Sequence, residues 1–379
     1  MKRYLLVSAL ILWANISFTQ PDYGAKTVLY LIPFYSNEIE EVNARKFTSD
    51  DDIYAVPAFQ LTAFWEGAQI ALKEFDDEGV RLNIIVRDVV DDAAKLTAIM
   101  EDSVLMQKVD LIIGPFYSRM FEIAARYALK YRIPILNPFS NRRDFLLNNE
   151  YVYKLIPSPE ARPNILSKLL MEQYEDYELF FWVDETGSKE TRLYEKIFRE
   201  DSIPYQKIPF STGVSALTAK LIPGKQNIVI TYAQSHAAVI NNFRNLVTKK
   251  DLPLLSMLIP ETWLIEISTE MENFNKLEAY YFSNYYVDRK DDKTIYFESE
   301  FIDQFHSPPD ILRFSYQGYD ITRFFIQYLL HGFDRNKFNY HPLSLDFDFR
   351  KTENGGYENQ RSRLLQLKDY EIIEIRRPH

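Results

Sequence analysis

Two rhythms of apolar residues alternate along the chain. Short unbroken runs, each stopped by Gly or Pro, read as buried strands, and apolar positions three and four apart read as amphipathic helices. Thr27–Ile32 is a first strand, ending at Pro33. Leu61, Phe64, Ala68, Ala71, Leu72 and Phe75 then share one helical face, and Leu82–Val86 is a second strand. Asp91 and Asp92 cap a helix carrying Leu96, Ile99, Val104 and Leu105. Leu111–Ile113 is a strand stopped by Gly114-Pro115, and Ser118 can cap the helix of Phe121, Ala124, Ala125 and Ala128. Ile133–Leu136 follows as a strand, broken by Asn137-Pro138. Strand and helix thus alternate over 27–136, which predicts a parallel sheet with right-handed crossovers.

The pattern restarts after a joint. Tyr151–Ile156 is extended, and Pro157-Ser158-Pro159 forbids helix there. Helices at Ile165–Tyr174, around Leu193–Phe198 and at His236–Val247 alternate with strands at Leu179–Val183, Ile228–Tyr232 and Leu254–Leu258. The last third is mixed: a strand at Ala279–Ser283, then helices at Thr294–Phe305 and Leu312–Leu330. Alternation of Leu343, Leu345, Phe347 and Phe349 predicts a strand. Asn354-Gly355-Gly356 is a turn, and Arg363–Leu367 with Tyr370–Ile375 form a terminal hairpin. The acidic stretch Phe34–Pro57 is read as a long loop.

Polar residues concentrate where the strands end. Ser118 stands on one such turn, and Asn137, Ser140 and Asn141 on the next. In open α/β sheets small ligands sit in the crevice beyond the carboxyl ends of the strands, and helix N-termini favour anionic groups. These turns read either as half of a ligand cleft or as ordinary βα connections.

Residues 1–19 are set apart from the fold: Lys2 and Arg3, an apolar run Tyr4–Ala14, then Ser17 and Thr19 at the spacing of a secretory cleavage site. The apolar run is too short to span a bilayer, so no retained membrane anchor is expected. The sequence has no cysteine, which excludes a lipid-attachment cysteine and fits export to a bacterial periplasm. Losing Lys2 and Arg3 with the leader takes the formal net charge from −10 to −12. An acidic chain without a clustered basic stripe does not bind nucleic acid through its field.

Signals for catalysis are missing. No glycine-rich phosphate cradle follows a strand, the five His show no zinc-ligand spacing, and no Gly-x-Ser-x-Gly elbow is present. The acidic clusters Asp50–Asp52 and Asp76–Glu78 lack the spacing of a calcium loop. No cofactor and no metal are therefore expected, and the chain is read as not an enzyme. A two-lobed α/β chain with polar strand ends and no reactive group suits reversible capture in a cleft closed by a hinge.

At this point the order of segments resembles a known family. VLYLIPF, FWEGAQIAL, VRDVVDD, VDLIIGPFYS, IPILNPFS and YVYKLIPSP, in that order, resemble type I periplasmic solute-binding proteins, the leucine/isoleucine/valine-binding and receptor-ligand-binding-region family. SNYYVDRKDD, FSYQGYDITRFFIQYLLHGF and ENGGYENQ resemble a narrower group of Bacteroidetes-type envelope proteins often fused to a LysM module, here without LysM. The resemblance implies two lobes, each a mostly parallel sheet flanked by helices. Lobe I would hold 26–141 and 284–340, and lobe II 142–283 and 341–379. It implies ligand contacts at Ser118, Phe139, Ser140 and Asn141 in the first lobe, and at Ser188, Tyr232 and Glu261 in the second. For an amino acid, Ser118, Asn141 and backbone N–H groups would take the carboxylate and Glu261 the ammonium. Tyr35, Tyr117 and Trp263 are expected to wall the cleft. The partners implied are a small-molecule ligand and a membrane transporter of ABC type, a sensor or an envelope protein. Phe139 departs from the small residue usual there, and Glu261 is followed by Thr262-Trp263 rather than glycines. These departures support an alternative, a ligand-free envelope scaffold that keeps the fold.

Overall fold

The computed structural model describes residues 24–38, 56, 59, 61–140, 142–146, 148–173, 176–310, 314–353 and 355–375. The leader 1–19, most of the loop 34–57 and Asn141 lie outside them. The strands are β1 Lys26–Ile32, β2 Leu82–Asp88, β3 Leu111–Ile113, β4 Ile135–Asn137, β5 Val152–Lys154, β6 Tyr177–Val183 and β7 Gln206–Pro209. They continue with β8 Gln226–Tyr232, β9 Leu255–Leu258, β10 Tyr280–Ser283, β11 Phe349–Lys351, β12 Tyr357–Asn359, β13 Arg363–Lys368 and β14 Glu371–Glu374. The longer helices are α1 Thr62–Asp77, α2 Ala93–Glu101, α3 Ser118–Tyr131, α4 Ala161–Gln173, α5 Lys189–Glu200, α6 His236–Val247, α7 Asp292–Phe305 and α8 Ser315–Leu330.

These strands build two seven-stranded sheets, ordered β11-β12-β5-β4-β3-β1-β2 and β14-β13-β10-β9-β8-β6-β7. Pairing is parallel except at β11–β12, β10–β13 and β13–β14. Each sheet is apolar on both faces, as expected of parallel strands covered by helices. Along β1, Val28, Tyr30 and Ile32 pack towards α1 and α8, and Leu29 and Leu31 towards α2 and α3. In the second sheet, Val229 packs towards α6, and Ile228 and Ile230 towards α4 and α5.

Sheet membership differs from the expected division of the chain. Strands β5, β11 and β12 fall in 142–283 and 341–379, allotted above to the second lobe, yet all three belong to the first sheet. The cause is pairing: β4 takes β5 in parallel register, and β5 then takes β12. The chain therefore passes between sheets three times, after β5, after β10 and between β12 and β13.

The strand expected from Leu343 to Phe349 is mostly irregular, and β11 begins only at Phe349. Leu343, Leu345 and Phe347 are buried, so the alternation correctly marks their inward side. Their backbone is spent elsewhere. The buried Asp320 carboxylate on α8 accepts the N–H groups of Leu343, Ser344 and Leu345 at 2.7–2.9 Å, which leaves none for a ladder. Helix α8 itself starts at Ser315, after Phe314 at a positive φ of 70°; Leu312, where the sequence pattern begins it, lies outside the described residues.

Candidate ligand-binding site

In the first lobe the strand ends are fixed by side chains that sequence reading passed over or took only as turn formers. Asp88, at the end of β2, accepts from the backbone N–H of Phe34, Ser36 and Val90 and from the Ser36 hydroxyl. Burial pushes the Asp88 carboxyl up, but these donors outweigh it and hold it below the ordinary carboxylate range. The loop after β1 is thereby pinned, with Tyr35 at a positive φ of 50° and its hydroxyl donating to Tyr117 at 3.2 Å. Two of the expected cleft-wall residues thus stand together.

Asn137 ties the two neighbouring turns. Its amide donates to the carbonyls of Pro115 and Phe116 at 2.7 and 2.9 Å, and its oxygen accepts from Phe139 N and Ser140 N at 2.9 Å. Ser118 does not cap α3: the N-cap is Tyr117, without a side-chain cap bond, and Ser118 is the first helical residue. An N1 position has no need of its own hydroxyl for capping, so Ser118 is left half-buried with no hydrogen bond from that group among the described residues. Ser140 is buried and accepts from Arg142 N. The Phe139 ring stacks into the rim of the first core, 4.3 Å from the Phe314 ring and 5.3 Å from that of Phe116.

The second lobe brings Tyr232 and Glu261 together at the carboxyl ends of β8 and β9. They share a pocket with Arg162, Glu190, Thr191, Tyr194 and Phe282, enclosing about 20 Å³, room for roughly one water. Arg162 lies between two acids, 3.4 Å from Glu190 and 3.6 Å from Glu261. Burial pushes the Tyr285 phenol up, and the Glu261 charge adds to it. Tyr285 belongs to the segment after β10 and packs on the first lobe's core, so it joins Glu261 to the interlobe junction.

Two expected residues have other work. Ser188 caps α5: its Oγ accepts from Thr191 N at 2.9 Å while its own N–H donates to Thr191 Oγ1. Trp263 is buried in the second core, edge-on to Phe243 and stacked over Phe274, and is no cleft wall. An indole in a packed aromatic cluster has no face left for a ligand.

Arg162, Glu190, Tyr194 and Tyr285 were missed. A signal for Arg162 existed: it stands in the first turn of α4, where the helix dipole disfavours a cation. Such a residue needs a local reason, and the two glutamates supply it. Among the described residues no group of three His, Cys, Asp or Glu is placed to hold a metal ion. None of the described helices is long and apolar enough to cross a membrane.

Two wound sheets joined by three crossings, with polar side chains gathered at strand ends, define the two-lobed type I periplasmic-binding fold. A model of the family described as periplasmic binding protein matches residues 55–338, and the chain belongs to that family. Among solved structures it is similar to a putative branched-chain amino acid ABC transporter from Rhodospirillum rubrum. That match has 15% identity over 93% of this chain and 100% of the other, at a TM-score of 0.62. An ABC transporter substrate-binding protein from Desulfitobacterium hafniense, solved in complex with Leu, shares 16% identity over 93% and 100% of the two chains, at 0.50. LpoA from Haemophilus influenzae shares 9% identity over 96% of this chain and 60% of its own, at 0.56. At such identities the likeness is one of fold alone. A search of curated proteins gives no significant match.

Proposed function

We propose that the protein is exported to the periplasm and there captures a small polar ligand of amino-acid type between its lobes, for an ABC-type transporter or a sensor. The observation carrying this reading is the charged group Arg162, Glu190 and Glu261 at the strand ends of the second lobe, beside Tyr232. Opposite in chemistry, the first lobe offers the unbonded Ser118 hydroxyl at the N-terminus of α3, where backbone N–H groups favour a carboxylate. An acid for an ammonium and a helix end for a carboxylate match the two poles of a zwitterion. The similar structures, a putative branched-chain amino acid ABC transporter and a substrate-binding protein in complex with Leu, support the ligand class. The ABC transporter role named for the similar structures supports the role proposed here.

Isothermal titration of the protein with pooled amino acids tests the reading. Saturable binding is expected, and ligand at about a hundredfold its Kd should stabilise the fold by about 2.7 kcal/mol in parallel melts. Absence of heat and of any melting shift at millimolar concentrations would overturn it.

A further inference from the structure

Three features of the second-lobe pocket fit together. First, Arg162 sits at the helix end that disfavours it, held only by two long ion pairs of 3.4 and 3.6 Å. A settled charge-assisted bond is about 2.7–2.9 Å. Second, the three side chains are 26%, 40% and 37% exposed, so water or a ligand reaches the pairs. Third, the Thr231 hydroxyl, in the same pocket as Arg162, Glu190 and Glu261, is buried and has no hydrogen-bond partner among the described residues. A buried hydroxyl without a partner thus shares its pocket with a guanidinium that is loosely held.

We propose that Arg162 determines specificity in this pocket by exchange: it holds Glu261 in the empty protein and releases it to the ligand's ammonium, receiving the ligand's carboxylate in return. The inference rests on the capture reading above and sharpens it. Before binding Arg162 pairs with both Glu190 and Glu261; afterwards it keeps Glu190 and takes the ligand's carboxylate, while Glu261 takes the ammonium. No charge is stranded. A simple amine must displace Arg162 from Glu261 and gives the guanidinium nothing. A simple carboxylate competes with two glutamates for one guanidinium and leaves Glu261 bare. The ligand class is therefore one carrying ammonium and carboxylate close together. A carboxylate has about four acceptor sites, so Ser118 from the first lobe and Arg162 from the second can share it. That sharing would draw the lobes together.

Three probes with one carbon skeleton test this on the full protein by isothermal titration: leucine, isopentylamine, which lacks the carboxylate, and 4-methylpentanoate, which lacks the ammonium. The wild type should bind leucine at least tenfold more tightly than either half-molecule. In Arg162→Met the advantage of leucine over isopentylamine should shrink to about threefold or less, because Glu261 is free and nothing receives the carboxylate. Arg162→Lys keeps a cation that cannot bridge both glutamates; it should weaken leucine yet retain most of the discrimination. This second variant carries the test if melting shows Arg162→Met to be unfolded. Undiminished discrimination in Arg162→Met, or loss of discrimination in a folded Arg162→Lys, overturns this inference and leaves the capture reading standing. Failure of the wild type to bind any of the three overturns the exchange, and failure across the amino-acid pool overturns the capture reading too.

Discussion

Gly67 on α1 and Gly318 on α8 mark where two helices of the first lobe meet backbone to backbone. A Cβ on Gly318 would overlap the Phe64 carbonyl, and one on Gly67 would overlap the carbonyl of Ser315. In an exposed helix Gly→Ala gains about 1 kcal/mol. Here the sign should invert, since the obstructing atom belongs to a backbone that cannot rotate away. Gly318→Ala is expected to destabilise by about 3 kcal/mol or more, at the upper end of overpacking costs, read as a fall in the urea midpoint. An unchanged or raised midpoint would show that the helices part without strain. Individual residues were also where the sequence was least legible. Tyr232 and Glu261 lie near strand ends that periodicity reveals: Tyr232 ends β8, and Glu261 comes three residues after β9. Arg162 and Glu190 lie 28 positions apart and meet only because α4 and α5 pack side by side over one sheet face. No local pattern encodes that meeting. Trp263 and Ser188 show the converse: a residue near a strand end can face the core or serve its own helix instead.

Among elements, repeated apolar spacing located nearly every strand and helix. It failed where a side chain took over the backbone's bonds. The segment 343–348 has a strand's alternation, but Asp320 captures three consecutive N–H groups, and Tyr340 also donates to it at 2.8 Å. Burial pushes the Asp320 carboxyl up, although these donors oppose the shift. Asp320→Ala would strand three amide donors in a buried place, each worth about 1–3 kcal/mol, so a loss of at least about 3 kcal/mol is expected. Hydrogen exchange should localise it, with protection falling at Leu343, Ser344 and Leu345 before the strands of the first sheet. Protection that falls evenly throughout would mean that Asp320 does not organise the segment. This element matters for the site because it precedes β11 and β12, which the sequence pattern gave no reason to assign to the first sheet. Parallel pairing of β12 with β5 is a contact across 204 residues, invisible to any local spacing.

At the scale of the whole molecule, the passages between lobes are tied to one another. Asn359 Nδ2 donates to the Leu155 carbonyl at 3.0 Å, and the Ser362 hydroxyl donates to the Ser283 carbonyl at 3.3 Å. At the root of the first and third passages the fully buried Lys154 pairs with Glu358 at 2.9 Å and donates to the Ser158 hydroxyl at 2.7 Å. Removing one partner of a buried pair leaves the other charge uncompensated, so Glu358→Gln should cost about 3–5 kcal/mol near pH 7. Its pH dependence separates this charge effect from lost packing. Burial raises the Glu358 carboxyl, but Ser158 and Lys154 outweigh burial and hold it below its ordinary value of 4.5. An acid depressed in the folded state contributes stability above its unfolded pKa and loses it as pH falls through the folded one. The gap between wild type and Glu358→Gln, followed by calorimetry, should therefore stay level from pH 7 to about 5 and close below 4.5. A gap that persists undiminished at pH 3 would mean that Gln fails there by shape, and the clamp between the passages would then be steric rather than ionic.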